Sequence, residues 1–162
     1  MLLRLLVMRH GKSSWKSDAP TDHARPLNKR GRAAAPAMAQ RIHAMGWDPQ
    51  QVISSDAQRT RETWACAATQ LEQPCMVRFT SRLYMADLRA VLDELGGTDD
   101  GLTTTLALGH NPCCERLVQW LCGEPVVMKT AAVALLESHA SGWRPGLSMQ
   151  HSWRLSRVLR AR

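Results

Sequence analysis

Leu2-Leu3-Arg4-Leu5-Leu6-Val7-Met8 runs directly into Arg9-His10-Gly11-Lys12-Ser13. A short apolar run that stops at a glycine reads as a buried strand. Working outward, Asn28 caps a helix expected over residues 29–45 and closed by Gly46. Its inward face carries Ala34, Ala35, Met38, Ile42 and Met45, and Pro36 is expected to weaken or kink it. Residues 52–54 read as a strand and 56–72 as a helix, with Trp64, Ala67, Ala68 and Leu71 as its core stripe. Residues 76–79 form a further strand. Leu88, Val91, Leu92 and Leu95 mark a short helix ending at Gly96-Gly97. Residues 103–108 are β-rich. Asn111-Pro112 then starts a helix, Asn as cap and Pro at the first position, with Cys114, Leu117, Val118 and Leu121 inward and Gly123 at its end. Residues 133–136 and 153–159 are late strands around a loop over 138–149. Strands alternating with helices predict an α/β fold: a three-layer sandwich, a mostly parallel sheet with helices on both faces.

The 162 residues, 44% of them apolar, suit one globular domain spanning 1–162. No apolar run approaches the ~20 residues of a membrane span. The apolar start lacks a basic leader and a small-residue cleavage site, so it reads as a strand rather than a signal peptide. Five cysteines, an odd number with no C-x-x-C pair, argue against a structural zinc site and for reduced thiols in a cytoplasm. The formal charge of +7 is spread along the chain. Arg154, Arg157, Arg160 and Arg162 alternate with Leu155, Val158 and Leu159, the pattern of an element with one wet face rather than a nucleic-acid tail.

In open α/β sheets, ligands sit beyond the carboxyl ends of the strands. Three such ends carry chemistry: Arg9-His10-Gly11-Lys12-Ser13, Ser54-Ser55-Asp56 leading to Arg59, and Gly109-His110-Asn111-Pro112. Two arginines and two histidines are thereby expected at one edge. Arginine presents a planar fork of donors that matches phosphate oxygens. A neutral imidazole attacks phosphorus and holds it covalently, and nearby arginines disfavour the imidazolium. The second histidine is suited to donate to a phosphate oxygen. His23, His43, His139 and His151 lack such company.

Arg9-His10-Gly11 resembles the signature of the histidine phosphatase (phosphoglycerate-mutase-like) superfamily. Residues 54–63, Ser-Ser-Asp-Ala-Gln-Arg-Thr-Arg-Glu-Thr, are similar to its second motif, and Gly109-His110-Asn111-Pro112 to its second-histidine motif. Lys12-Ser13-Ser14-Trp15 and Asp22-His23-Ala24-Arg25-Pro26-Leu27-Asn28-Lys29-Arg30-Gly31-Arg32 resemble the SixA-like phosphohistidine phosphatase branch. The resemblance implies His10 as nucleophile, a phosphate pocket of Arg9, Arg59 and His110, and additional substrate contacts at Arg25 and Ser13. It implies no metal and no organic cofactor.

Mutase-type members place a glutamate, the usual general acid, after the third strand. Here Arg82-Leu83-Tyr84-Met85-Ala86-Asp87 offers only Asp87, which also fits a helix cap. A missing acid suits a leaving nitrogen better than a leaving alkoxide. The implied substrate is a phosphohistidine protein, an acidic phosphotransfer domain among the candidates, with no role for nucleic acid or membrane. A small phosphate ester is the enzymatic alternative, and a non-catalytic basic binding module the alternative of another class. Arg41, Arg61 and Lys16 read as surface residues, and Trp47, Trp143 and Trp153 as packing ones. Trp15 is balanced between contacting a partner and packing within its loop. Cys113 reads as a first-turn residue and Cys114 as core.

Overall fold

A computed structural model describes residues 1–73 and 75–162. Its strands are β1 (Leu2–Arg9), β2 (Gln51–Ser55), β3 (Met76–Thr80), β4 (Thr104–Gly109), β5 (Val133–His139) and β6 (Arg154–Leu159). Its helices are α1 (Lys29–Ala44), α2 (Gln58–Ala68), α3 (Leu88–Gly96), α4 (Cys113–Cys122) and α5 (Trp143–Leu147), with a 3-10 turn at Ser81–Leu83. One sheet runs in the order β3-β2-β4-β1-β5-β6. β1, β4, β2 and β3 are mutually parallel, and β5 is antiparallel to both β1 and β6. Only β5 is therefore reversed, as a mostly parallel sheet requires.

β1 shows why the sheet is covered on both faces. Its side chains alternate with period two. Leu3, Leu5 and Val7 enter a core with α3, α4 and α5 residues, including Val91, Leu117 and Trp143. Leu6 and Met8 enter a second core with Met38 and Ile42 of α1 and Trp64 of α2. A strand apolar on both faces thus sits at the centre of three layers.

The α1 boundaries match the expectation closely. Asn28 Oδ1 accepts from the Gly31 amide at 3.0 Å, and Gly46 takes a left-handed φ of 73° just past the end. Pro36 lies inside α1 without ending it. Trp47, Trp143 and Trp153 are all buried.

Three expectations are corrected. α2 is shorter than 56–72 and begins at Gln58 without a side-chain cap, because Asp56 points its carboxylate at His23 instead. Asn111 does not cap α4. Pro112 takes the cap position, and Asn111 Nδ2 donates to the Met128 carbonyl at 2.8 Å. Residues 138–149 are not all loop: β5 extends into them and α5 follows. Trp143 anchors α5, fully buried, with its indole N–H donating to the Leu102 carbonyl at 2.7 Å.

Candidate active site

The strand order carries the residues of the site together. β4 lies between β1 and β2, and Arg9 pairs with Gly109 in register. The next residue on each strand is therefore His10 and His110. Their ring centroids stand 5.2 Å apart. Ser55, at the end of neighbouring β2, meets His110 through Oγ at 2.8 Å from Nε2. An open cleft of about 270 Å³ lies over these strand ends, and its walls include Arg9, His10, Ser13, Arg25, Arg59 and His110. All six residues singled out from the sequence thus meet in one place. Lys16, Arg41 and Arg61 do not line it.

His10 is held in one tautomer. Nδ1 lies 2.6 Å from the Gly11 carbonyl. A carbonyl only accepts, so Nδ1 carries the proton and Nε2 keeps the lone pair of the neutral ring. Burial lowers the His10 pKa to about 4, against the pull of the Gly11 hydrogen bond, with Arg59, Arg9 and Arg25 adding to the lowering. His110 is lowered to about 3, again chiefly by burial, then by His10 and Arg59. The arginines do act as expected on the nucleophile candidate, but desolvation is the larger cause.

The loop after β1 is clamped against α1 and α2. Ser13 forms a bridge with Leu27, and Arg25 Nη1 donates to Ser13 Oγ. Gly11 N–H donates to Thr63 Oγ1 at 3.0 Å, and that hydroxyl donates to the Arg59 carbonyl at 2.7 Å. One threonine thereby ties the His10 turn to the helix that carries Arg59. Gly31 is needed here, since a Cβ on it would stand 2.2 Å from the Lys12 carbonyl oxygen.

Asp22 organises the arginines, a role that sequence reasoning missed. Its carboxylate accepts from Arg59 Nη2 at 3.1 Å, Arg25 Nη2 at 3.2 Å and the Tyr84 hydroxyl at 2.7 Å. The Tyr84 hydrogen bond is the largest cause that brings its pKa down to about 2, with Arg59 and Arg25 contributing. Tyr84 also sets its ring edge-on to His23 at 4.7 Å and to His110 at 5.7 Å. Asp22 lay within the quoted Asp-x-x-Arg-Pro-Leu segment, three residues before Arg25, which was the available signal. Tyr84 lies in the segment read for a general acid, residues 82–87, but only its acidic residue Asp87 was weighed there.

Asp87 caps α3, accepting from the Ala90 amide at 2.9 Å, and does not line the cleft. No carboxylate does, among the described residues. Trp15 is 80% exposed and stacks on Arg25, whose Cζ is 3.6 Å from the ring centroid. Of the buried side-chain polar atoms without a protein partner, Arg9 Nε, Arg59 Nε, His110 Nδ1 and Asn111 Oδ1 belong to residues of this cleft or its rim. Such orphans concentrate at functional sites. Among the described residues, no His, Cys, Asp and Glu group is arranged to hold a metal ion. Among the described residues, no helix is long and apolar enough to cross a membrane.

The sequence pattern of the histidine phosphatase superfamily (branch 1) matches residues 5–84. A chloroplastic protein of Arabidopsis thaliana is 33% identical over 94% of this chain and 75% of its own length. The chain belongs to the histidine phosphatase superfamily. The fold of this chain is similar to that of the protein histidine phosphatase SixA complexed with tungstate. The two share a TM-score of 0.83 and 24% identity, over 97% of this chain and 96% of that one. A mycobacterial glucosyl-3-phosphoglycerate phosphatase is more distant, with a TM-score of 0.65 and 19% identity over 96% and 98%. Membership of the superfamily supports a phosphatase activity on a phosphorylated substrate.

Proposed function

We propose that this chain hydrolyses phosphohistidine on a protein through a covalent phosphoryl group on His10 Nε2. The observation that carries this reading is the His10 Nδ1–Gly11 carbonyl bond, which leaves Nε2 with the lone pair in a ring kept neutral near pH 7. Nε2 attacks phosphorus as the P–N bond to the substrate imidazole breaks. The departing nitrogen takes its proton from solvent. Water then attacks phospho-His10, gives up a proton, and releases inorganic phosphate with His10 regenerated. Arg9, Arg59 and Arg25 hold the phosphoryl oxygens with their fixed donors, and Ser13 braces Arg25. His110 stands beside His10, its Nε2 hydrogen-bonded to the Ser55 hydroxyl, and serves as a donor to a developing oxyanion.

The cleft walls lack a carboxyl acid, which supports a leaving nitrogen over a leaving alkoxide. The net charge of +7 suits an acidic phosphotransfer domain as partner. The free cysteines fit a reducing cytoplasm, and residues 1–162 work as one domain needing no cofactor. A second reading, a small-molecule phosphomonoesterase, draws on the glucosyl-3-phosphoglycerate phosphatase fold.

The test is turnover of a phosphohistidine protein, a simple alkyl phosphate and para-nitrophenyl phosphate in EDTA, by the protein and by His10→Ala. The expected result is faster release from phosphohistidine, a phosphoenzyme trapped on rapid quenching, and loss of both in the variant. Comparable turnover of a simple alkyl phosphate would overturn the substrate preference. Full activity of His10→Ala would overturn the nucleophile, and inactivity toward every phosphate compound would favour a binding module.

A further inference from the structure

A second, larger hollow of about 500 Å³ lies along α1 and includes Ala161 and Arg162 at the end of the chain. It shares Lys12 and Thr130 with the catalytic cleft, so the two adjoin at those residues. Its charged walls are Lys12, Arg30, Arg41 and Arg162, with no acidic side chain among its lining residues. Among the described residues, none of these four cations makes an ion pair with an acidic side chain. Arg41 is nevertheless held in place, donating from Nη1 to the Arg160 carbonyl at 2.7 Å. Arg160 in turn donates to the Val127 carbonyl at 3.2 Å.

The spacing decides what such a groove would hold. Arg30 and Arg41 are close to three helical turns apart, so they share a face of α1, separated by about 16 Å along its axis at 1.5 Å per residue. That span is far wider than a single phosphate. Between them the floor is Ala33, Ala34 and Ala37, side chains small enough to let another backbone lie close. A compact polyanion would want its cations converged. A polypeptide with spaced carboxylates matches cations spread over an apolar floor.

We infer that this groove docks an acidic polypeptide segment flanking the phosphorylated side chain, leading it past Lys12 and Thr130 into the cleft. The inference deepens the proposed function and rests on its protein substrate. The groove would supply affinity and partner choice, while the chemistry stays at His10. Unpaired cations facing a cleft raise the encounter rate with an acidic partner, and salt weakens the effect.

The test compares a fluorescent Asp/Glu-rich peptide with a Ser/Gly-rich one of equal length, each also prepared with a central phosphohistidine. Anisotropy at low salt is measured for the wild type, Arg30→Glu and Arg30→Glu/Arg41→Glu. Arg30 is exposed, so the single variant keeps the test sound if losing the Arg41 tether unfolds the double one. The acidic peptide is expected to bind the wild type roughly tenfold more tightly than the double variant, with a smaller loss in the single one. That preference should fade as salt rises, while para-nitrophenyl phosphate turnover stays unchanged. Equal binding to all three proteins would overturn the inference. So would tighter binding of a single-stranded oligonucleotide of matched charge, or equal loss of para-nitrophenyl phosphate turnover in Arg30→Glu. Charge-dependent binding without phosphate release from the phosphohistidine peptide would support the groove and sink the proposed substrate.

Discussion

Asp22 accepts twice from Arg59: its carbonyl from Nη1 at 2.8 Å and its carboxylate from Nη2 at 3.1 Å. The acid is half exposed while the arginine is buried. The pair therefore matters less as a source of stability than as a clamp, because an exposed partner is screened by water. Asp22 fixes the fork of Arg59 from the rim and holds Arg25 with the same carboxylate.

Asp22→Asn should leave folding nearly intact and lower kcat/KM by roughly tenfold to a hundredfold, the scale of a misplaced positioning group. Asparagine keeps one acceptor oxygen but loses the charge shared by two guanidiniums. The check is steady-state kinetics beside a melting curve. A variant that melts far lower would point to a structural role instead.

The pH dependence follows from the two histidines. His10 falls from 6.5 to about 4 on folding and His110 from 6.5 to about 3. Between those values and 6.5 the unfolded chain binds protons that the folded chain refuses. Stability is thus highest above about pH 6.5 and declines as pH falls toward about 4 and then about 3. Asp22, lowered from 3.8 to about 2, adds a further loss below pH 3.8. Urea midpoints measured from pH 7 downward should show this decline, and it should shrink in His10→Ala. Activity should keep its nucleophile in the neutral form until pH nears 4.

Gly31→Ala pits two effects against each other. Alanine in a helix is favoured over glycine by about 1 kcal/mol. The new Cβ, however, would stand 2.2 Å from the Lys12 carbonyl, and backbone cannot yield as a flexible side chain does. Overpacking of this kind costs about 1–3 kcal/mol. The expected outcome is a lower melting temperature together with weaker turnover, since Lys12 and Ser13 line the cleft. A more stable, fully active variant would refute the close approach.

Ser55→Ala removes the hydroxyl that meets His110 Nε2 at 2.8 Å. The ring would lose its hydrogen-bond partner at Nε2, leaving a part-buried nitrogen unsatisfied at a cost of about 1–3 kcal/mol. Turnover should fall while phosphate still competes as an inhibitor, and Ser55→Thr should recover part of the loss. Unchanged kcat in Ser55→Ala would show that His110 needs no such partner.

Much of this was legible in the residues themselves. The doubly apolar β1, the Asn28 cap with Gly46, and the stripes of α3 and α4 are local patterns, set by side-chain period and by where a backbone amide needs a partner. Arg9, His10, Arg59 and His110 stood out because each lies at or just beyond the end of a strand, and parallel strands present their ends at one edge. The errors have equally local causes. Asn111 looks like a cap in isolation, but Met128, seventeen residues on, takes its amide. Asp56 looks like the start of α2, but His23 takes its carboxylate.

The sequence by itself determined the class of the fold and the residues that reach its chemical edge, because strand and helix periods are read over a few neighbours. Tertiary structure alone decided how those residues act. The His10 tautomer depends on where the Gly11 carbonyl turns. The clamp on Arg25 and Arg59 needs Asp22 and Tyr84, which are 62 residues apart. Arg30 and Arg41 of α1 share one groove with residues 161 and 162 because those residues lie beside that helix. Each of these depends on distance and burial between remote segments, which no local pattern of residues encodes.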